Sequence, residues 1–309
     1  MTIPTSQTLS ANAAAAIAAP DRERASRLRP SSVLRPPAFS LRAIGGEVVR
    51  LWHYRDLLLT LTAHRIKVRY KQSALGLAWA VLQPLALMLI YTVIFAYIAH
   101  MPSNGTPYAV FAFTALLLWT TFSTALGNAT NGLVGHAQLI TKVYFPREIL
   151  PLSYVIAALA DFAIAALVLG GLLFYYRIPL TAQALYVVPI LLTMTAFSLA
   201  VSLFLSSLQV RFRDIGVAMP LLLQLWMFAT PVVYPLSAVM RSGRLPDWTK
   251  VLYSLNPMVG IVESFRRVVL EGLPPDGPTF SIAVGVSVVL LPLAYAYFKR
   301  AEATMADVI

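Results

Sequence analysis

The 309-residue chain contains no cysteine and little charge. Without cysteine there is no disulfide framework, no thiol nucleophile and no cysteine-based metal site. The four histidines are scattered, and no two of them have the spacing of a metal-binding pair. Charged residues make up 12% of the chain against 58% hydrophobic residues, and the mean hydropathy is +0.72. These values lie outside the range of soluble globular domains and indicate a membrane protein.

Nucleotide-binding motifs are missing as well. The chain has no GxxxxGK[ST] loop to cradle phosphates, and GNATNG at 127–132 lacks the lysine. We therefore expect no nucleotide hydrolysis and no bound cofactor. The net charge of +11 would suit nucleic acid, but half of the cations lie before residue 72, and the basic groove with interleaved aromatic residues that binds single strands is missing. The sequence thus predicts no nucleic-acid partner, and the charge favours a role in membrane topology.

Long hydrophobic runs are abundant. A membrane core about 30 Å thick requires about 20 apolar residues per helix, and six segments meet that length. The predicted spans are roughly 74–99, 108–127, 150–174, 184–208, 216–236 and 279–298. The connections 100–107 and 175–183 contain one firm cation, whereas the N-terminal arm, 128–149, 209–215 and the tail from Lys299 contain eighteen. This asymmetry predicts that both termini lie in the cytoplasm.

The N-terminal part is expected to stay outside the membrane core. Residues 1–43 are rich in alanine, proline and arginine and predict a disordered cytoplasmic arm. From Glu47 to His64 the sequence predicts an amphipathic helix in the headgroup plane, with an ordinary packed helix as the alternative. The residues expected on its apolar face are Val48, Leu51, Trp52, Leu58, Leu59 and Thr62. The predicted organisation is an arm over 1–43, an interfacial helix and basic segment over 44–72, a transmembrane domain over 73–300 and a tail over 301–309.

A row of cations precedes the first span. Arg65, Lys67, Arg69 and Lys71 occupy every second position, and the next charged residue is Lys142. Anionic headgroups attract each such cation by about 1 kcal/mol. The row is therefore predicted to anchor the first span at the cytoplasmic surface.

Residues 237–278 do not fit a simple external loop. The segment carries five cations although it is expected to face the outside, and its apolar pieces are too short to span the membrane. Prolines interrupt it at Pro246, Pro257, Pro274 and Pro275. Two short re-entrant helices between the fifth and sixth spans fit this pattern better, because irregular backbone is tolerated at membrane depth where protein or water lines it. The predicted fold class is an all-α membrane protein.

Asp161 is the one carboxylate well inside a predicted span. A charge at membrane depth costs several kcal/mol, so it has either a structural partner or a role such as proton relay. The sequence shows no second deeply embedded ionisable residue, which favours the structural contact.

The connection at 136–152 is longer than a plain turn requires. Its Tyr144, Phe145, Arg147 and Glu148 combine aromatic rings with a charge pair, a composition suited to docking on a soluble partner. A simple interfacial helix is the alternative.

Aromatic residues recur on the first and fifth predicted spans. Tyr91, Phe95, Trp226 and Phe228 lie deep enough to line a path rather than form an interfacial belt. Ring faces contact sugar C–H surfaces and leave hydroxyl groups hydrated, which would let a polymer slide. Ordinary packing is the alternative.

Five motifs in order resemble one family. They are RYKQSALGLAWAVLQPL from Arg69, KVYFPREILPL, QVRFRDI, TPVVYPLS from Thr230 and LNPM from Leu255. Together they resemble the transmembrane subunit of ABC-2 type polysaccharide exporters, which move O-antigen, capsule and teichoic acid polymers. The resemblance covers roughly residues 48–300.

The resemblance implies an assembly and several residue roles. Two copies of the chain would form a channel in the bacterial inner membrane, with the first and fifth spans around one path. Two separate ATPase chains would hold ATP and magnesium and dock on 136–148, the coupling helix. The quartet Arg65, Lys67, Arg69 and Lys71 would meet the pyrophosphate of a lipid-linked polysaccharide.

Other functions remain open at this stage. An ABC-2 exporter of drugs or small lipids is an alternative within transport, and an ion-coupled transporter built on Asp161 is another. A membrane glycosyltransferase or acyltransferase would require histidine or carboxylate groups gathered on one face, and the sequence gives little sign of that.

Overall fold

The computed structural model describes residues 46, 49–71, 78–243 and 245–308. Over these residues the regular structure is entirely helical. Five helical segments are long and apolar enough to cross a membrane: Val81–Ile98, Tyr108–Gly135, Ile149–Tyr175, Ala182–Arg211 and Gly277–Ala303. The prediction of a helical membrane protein is confirmed. The predicted arm at 1–43 lies outside the described residues.

The helices have these bounds. They are α1 Arg55–Lys71, α2 Ala78–Tyr91, α3 Tyr108–Gly135, α4 Ala137–Lys142, α5 Ile149–Tyr175, α6 Val187–Arg211, α7 Asp214–Phe228, α8 Leu236–Met240, α9 Asp247–Ser254, α10 Pro257–Arg266 and α11 Gly277–Val308. Two of them continue as π-helix, α2 over Thr92–Ile98 and α10 over Arg267–Glu271, and a short 3₁₀ helix, Ala182–Tyr186, leads into α6.

The predicted span at 216–236 corresponds to a shorter helix. α7 has 15 residues and ends at Phe228. At 1.5 Å per residue its length is roughly 22 Å, less than the hydrocarbon core. The chain then turns through 229–235, where Pro231 and Pro235 oppose a continuous helix.

Helix α3 lies at the centre of the fold. In its most apolar stretch 78% of the residues are buried, compared with 6% for the span formed by α2. It packs against α5 and α6, and Phe113, Leu117 and Phe122 are almost fully buried there. The span formed by α2 therefore presents most of its surface to lipid or to another chain.

The residues predicted to form the apolar face between Glu47 and His64 divide into buried and exposed ones. Thr62 is 6% exposed, whereas Trp52 and Leu59 are 66% and 61% exposed. Five residues before and within α1 pack against the apolar cluster around Phe298: Leu51, Tyr54, Leu57, Leu58 and Leu61. Arg65 follows Leu58 by seven residues and Arg69 follows Arg65 by four, so both lie on the helix face that contains Leu58. The same face of the helix thus begins apolar and ends basic.

The segment 237–278 forms three short helices where the sequence predicted two, and their re-entrant placement stays a prediction. The chain forms α8, α9 and α10 and then turns at Gly272, whose φ of 64° suits glycine. α10 lies directly against α11, because a Cβ atom at Gly260 would be 2.2 Å from the Thr279 carbonyl oxygen. This close approach holds the short helices against the last span.

Arg266 holds the turn after α7. Its side chain is 3% exposed and lies 3.7 Å above the Phe111 ring. The guanidinium donates hydrogen bonds to the backbone carbonyl oxygens of Phe111, Pro231, Val232 and Tyr234. The Pro231, Val232 and Tyr234 oxygens lie in the turn, outside any helix, so Arg266 supplies hydrogen bonds to irregular backbone in an apolar setting.

Candidate functional site

Two cations of the N-terminal quartet meet α5. Arg65 donates from Nε to Ser153 Oγ at 2.8 Å, and its guanidinium carbon lies 3.3 Å from the centroid of the Tyr154 ring. Arg69 forms an ion pair with Asp161. Lys67 is exposed on another face of α1, and the Lys71 side chain lies outside the described residues. Alternation along the sequence therefore does not place all four cations together, because a helix brings residues four apart onto one face.

The ion pair lies near the middle of α5. Asp161 is 12 residues beyond Ile149, which corresponds to roughly 18 Å along the helix. The contacts advance from Ser153 to Asp161 as α1 advances from Arg65 to Arg69, so the two helices run in the same sense. The partner of Asp161, which the sequence alone did not reveal, comes from the basic row.

Tyr154 is held between α1 and α3. A Cβ atom at Gly132 would lie 2.5 Å from the Tyr154 ring, so only glycine leaves room for the ring there. His136 adds an edge-on ring contact at 6.3 Å. Burial lowers the pKa of Arg65, while the electrostatic influence of Tyr154 opposes that shift. This sandwich fixes the position of Arg65.

A cavity of about 520 Å³ adjoins the Arg69–Asp161 pair. We call it the polar cavity. It lies between the start of α2 and the middle of α3 and α5, and its polar lining includes Arg69, Gln83, Thr120, Ser123, Thr124, Asn128 and Asp161. Trp79 forms part of the wall. Six of the fifteen lining residues carry hydroxyl or amide groups, which is a high share for the interior of apolar spans.

The residues predicted to dock a partner divide into exposed and buried ones. The Tyr144 side chain is 85% exposed, and Lys142 and Val143 beside it are exposed too. Phe145 is 5% exposed and packs in the cluster around Phe298. Of the four predicted residues, Tyr144 is therefore the one fully presented to a partner.

Arg147 and Glu148 instead form a charge clasp with the end of α11. Glu148 is 3% exposed and pairs with Lys299 at 2.8 Å, and Lys299 also pairs with Glu302 at 3.0 Å. The Arg147 guanidinium donates to the backbone carbonyl oxygen of Glu302 at 2.6 Å. Burial raises the pKa of Glu148, and Lys299 opposes that rise. The clasp connects the loop after α4 to the last helix.

The four predicted path aromatics lie in different surroundings. Tyr91 and Phe95 are half-buried, with ring centroids 5.8 Å apart. The Trp226 indole donates from Nε1 to Asn256 Oδ1 at 3.2 Å, and its ring lies edge-on to Phe122 at 5.1 Å. Phe228 is 48% exposed. Trp226 is thus fixed within the chain, and Phe228 is the most accessible of the four.

Sequence reasoning missed two polar residues that hold the helices. Asn256, in the LNPM motif, accepts from Met258 N and Trp226 Nε1 and donates to Ala229 O and Thr230 Oγ1. Its position before a proline is the signal of a helix N-cap. The bonds to α7 and the turn behind it join residues 26 to 30 apart in sequence, and no local pattern reports such contacts.

Gln209 is the second missed residue. It is 5% exposed and accepts from Gly216 N at 2.6 Å, and it donates to Asn131 Oδ1 and Arg213 O. A Cβ atom at Gly216 would lie 2.3 Å from Asn131 Oδ1. The QVRFRDI motif therefore closes the turn between α6 and α7 and holds it against α3. A glutamine beside a row of arginines gave no sequence signal for this.

Comparison with known proteins places these features in context. The family model described as ABC-2 type transporter matches residues 56–270. The O-antigen export system permease protein RfbA of Myxococcus xanthus is 36% identical over 264 residues, which cover 84% of this chain and 98% of that protein. A Klebsiella pneumoniae protein of the same name is 28% identical over 255 residues, 82% of this chain and 95% of that protein. The polysialic acid transport protein KpsM of Escherichia coli is 24% identical over 253 residues, 79% of this chain and 93% of that protein.

Proposed function

The chain belongs to the ABC-2 type transporter family, and we propose that it is the channel-forming permease subunit of an ATP-driven exporter of a lipid-linked, O-antigen-like polysaccharide. The observation that carries this proposal is the match to the Myxococcus xanthus O-antigen permease over 98% of that protein. A match of this extent covers the transmembrane architecture rather than one motif. The polar cavity among apolar spans is consistent with a hydroxyl-rich cargo.

The energy source is proposed to be a separate ATPase subunit. The family membership supports this, and GNATNG at 127–132 lies inside the transmembrane helix α3 rather than in a phosphate-binding loop. ATP and magnesium would be held by that subunit. The proposed binding surface for that subunit is the exposed end of α4, Lys142, with Val143 and Tyr144 after it.

The exposed Tyr144 provides a test of the coupling surface. Its ring makes little contact within the chain, so Tyr144→Ala is expected to leave the thermal stability unchanged and to reduce export by about fivefold to thirtyfold if the ring is an interface anchor. The measurements are Tm of the purified chain and the rate of surface polymer synthesis. The matched control is Tyr175→Ala, at the far end of α5, where the ring is 77% exposed. Equal export by both variants would remove Tyr144 from the interface.

We propose that two copies form the channel in the bacterial inner membrane, with both termini in the cytoplasm. Large apolar side chains are exposed on the α2 span and on α7, and these two elements correspond to the first and fifth predicted spans. They are Leu89, Ile90 and Ile98 on the former and Val217, Leu221 and Leu225 on the latter. A two-fold dimer would cover part of these faces and place Phe228 near its axis. In this arrangement α7 and the turn after it serve as the sixth crossing, and α8 to α10 are re-entrant.

We propose that the quartet Arg65, Lys67, Arg69 and Lys71 forms a gate that meets the pyrophosphate of the lipid-linked polysaccharide. Lys67 is exposed and free of a described ion pair, whereas Arg69, with 35% of its side chain exposed, could meet the same group only by leaving Asp161. Such cations suit a pyrophosphate at the membrane surface. Arg65 is stacked on Tyr154 and therefore helps to hold α1 against α5.

A genetic experiment tests the function. In a host that builds polymer on a lipid carrier, deletion of this gene is expected to abolish surface polymer and to cause lipid-linked polymer to accumulate inside. Restoration should require this chain together with its ATPase, and an ATPase disabled in hydrolysis should not restore export. Surface polymer that persists without ATPase activity would contradict the proposal.

Export of a different polysaccharide, such as capsule, is the second candidate, supported by the similarity to the polysialic acid transport protein KpsM. The same deletion strain distinguishes the two. Loss of polymer attached to lipopolysaccharide with intact capsule supports O-antigen export, and the reverse outcome supports capsule export. An ion-coupled transporter is disfavoured because Asp161 is paired with Arg69.

A further inference from the structure

The GNATNG motif belongs to a polar face of α3. Upstream of it, Thr120, Ser123 and Thr124 follow at spacings of three and four residues, and Asn128 and Asn131 continue the series. We call the five residues Thr120, Ser123, Thr124, Asn128 and Asn131 the polar seam. Four of them, Thr120 to Asn128, are half-buried although α3 is the most buried span. A helix surrounded by apolar partners has no packing reason for such a face.

Two cavities border the seam. The polar cavity of about 520 Å³ lies toward α2 and α5, and a second cavity of about 330 Å³ lies toward α7. Ser123, Thr124 and Gly127 line both of them. The seam therefore faces open volume along its length. Both volumes fall within the range of about 300 to 1,000 Å³ that is typical of ligand sites.

The hydrogen-bonding capacity of the seam is not used up within the chain. The Thr120 hydroxyl donates to Leu116 O at 2.8 Å and the Ser123 hydroxyl to Thr120 O at 3.2 Å, so both oxygens can still accept. Among the described residues, the Thr124 hydroxyl and the Asn128 amide have no side-chain hydrogen-bond partner. A polar group without a partner is costly at membrane depth, so water or a ligand must satisfy these two.

The chemistry of the walls favours a sugar over an anion or a lipid chain. The cation of the polar cavity, Arg69, is already neutralised by Asp161, so the cavity has no net positive charge to select a phosphate. Hydroxyl and amide groups match the donors and acceptors of sugar hydroxyls. Trp79 adds an aromatic surface for the C–H face of a sugar ring. An acyl chain would leave all of these polar groups unpaired.

We propose that the polar seam binds uncharged, hydroxyl-bearing sugar units of the transported polymer, with Thr124 and Asn128 hydrogen-bonding to the hydroxyls and Trp79 against a ring face. The site lies within one copy of the chain, mainly on α3, and its two cavities are not lined by the four predicted path residues Tyr91, Phe95, Trp226 and Phe228. This inference rests on the proposed function, since it assigns a contact surface to the same cargo.

The absence of cysteine makes the test direct. Single cysteines are introduced by Ser123→Cys, Thr124→Cys and Asn128→Cys, with Thr130→Cys as the control because Thr130 is fully buried and bonds to Leu126 O at 2.7 Å. The probe is 2-sulfonatoethyl methanethiosulfonate, applied to membranes that hold the chain with its ATPase. Labelling is compared between cells that make the polymer, with export stalled by a hydrolysis-deficient ATPase, and cells that make the carrier lipid without sugar.

The three seam cysteines are expected to react, and the trapped polymer is expected to slow their labelling at least fivefold, while Thr130→Cys stays unlabelled. Equal labelling with and without polymer would overturn the proposal. Equal protection by the carrier lipid without sugar would also overturn it, since the occupant would then be a lipid.

Export by hydroxyl-deletion variants provides a second readout. Thr124→Val keeps the side-chain shape, and Asn128→Leu keeps its approximate volume. Together they are expected to reduce the export rate about fivefold to tenfold, as the loss of two hydrogen bonds implies, with unchanged protein level. The same-helix control Thr130→Val should export normally. Normal export by the double variant would overturn the seam assignment and leave the proposed function intact, whereas failure of the unmodified chain to export would contradict the proposed function itself.

Discussion

Two arginines, Arg266 and Arg69, lie among the apolar helices in different surroundings. Arg266 is 3% exposed and donates to four backbone carbonyl oxygens. The Arg69 side chain is 35% exposed, pairs with the Asp161 carboxylate and borders a cavity. A guanidinium whose donors are taken up by fixed backbone can only stabilise the fold. One that shares a single carboxylate beside open volume can exchange partners during a transport cycle.

The largest expected effect is at Arg266. Arg266→Met leaves carbonyl oxygens of the turn 229–235 unpaired, and removing one partner of a buried charged network costs roughly 3 to 5 kcal/mol. We expect a large loss of Tm and of the purified yield in detergent. The neighbouring variant Arg267→Met is the control, because Arg267 and Asp276 are partly exposed and such pairs are worth about 1 kcal/mol or less. Equal losses in both variants would show that Arg266 is not a special anchor of the turn.

The charge clasp is expected to rank second. Lys299→Met leaves Glu148 buried without its cation and is expected to cost roughly 3 kcal/mol. Glu148→Gln should be milder, because Lys299 keeps Glu302 at 3.0 Å. The comparison requires only Tm of the two variants. A larger loss for Glu148→Gln would contradict this account of the clasp.

The same variant makes a pH prediction. Burial raises the pKa of Glu148 in the folded chain, so the stability linked to this group is present at low pH and is lost as the pH rises through that raised value. Removing Lys299 removes the opposing influence and raises the pKa further. The difference in Tm between wild type and Lys299→Met should therefore widen from about pH 5 to about pH 8. A Tm difference that narrows over this range would contradict the predicted rise in the pKa of Glu148.

Arg69 sharpens the comparison because its effect should fall on transport rather than on stability. Arg69→Met leaves Asp161 without this cation, but the carboxylate lines an open cavity that water can reach, so the loss of stability is expected to be smaller than that of Arg266→Met. Its export rate should nevertheless fall at least tenfold. The double variant Arg69→Met with Asp161→Asn removes the unpaired carboxylate and separates the two causes. If the double variant exports normally, the ion pair is structural and Arg69 has no role in transport.

A smaller effect is expected at the Tyr154 sandwich. Gly132→Ala places a methyl group 2.5 Å from the Tyr154 ring, and overpacking of this kind costs roughly 1 to 3 kcal/mol. Gly135→Ala, on the same helix, has nothing within 4 Å and is the control. Tm of the two variants measures the difference. Equal stability would mean that the ring moves without consequence for Arg65.

Sequence reasoning recovered the elements that depend on local composition. Long apolar runs identified the five candidate spans, and prolines with short apolar pieces indicated short helices in 237–278, of which the structure has three and the sequence predicted two. It did not recover the end of α7 at Phe228, because the turn that follows is stabilised by Arg266 and Asn256 from later helices. A hydropathy pattern along the sequence does not report a hydrogen bond that a distant residue donates.

The candidate site likewise combines residues that the sequence pointed out with contacts that only the structure shows. The basic row and Asp161 were both noticed, yet their pairing joins residues 92 apart and could not be read from spacing. Trp52 and Leu59 were predicted to share an apolar face with Leu58 and Thr62, and the structure exposes the first two, whereas Thr62 is buried and Leu58 packs against the cluster around Phe298. GNATNG was set aside as a failed phosphate loop. Its role on the polar seam became apparent only once the cavities beside α3 were located.

Reconstitution tests the central claim most directly. The chain is purified with its ATPase and inserted into liposomes with the ATPase outside, and lipid-linked polymer is supplied in the outer leaflet. The account predicts that ATP makes the polymer inaccessible to an added glycosidase, and that omitting either ATP or the ATPase prevents this. Equal protection of the polymer without ATP, or from the chain alone, would contradict it.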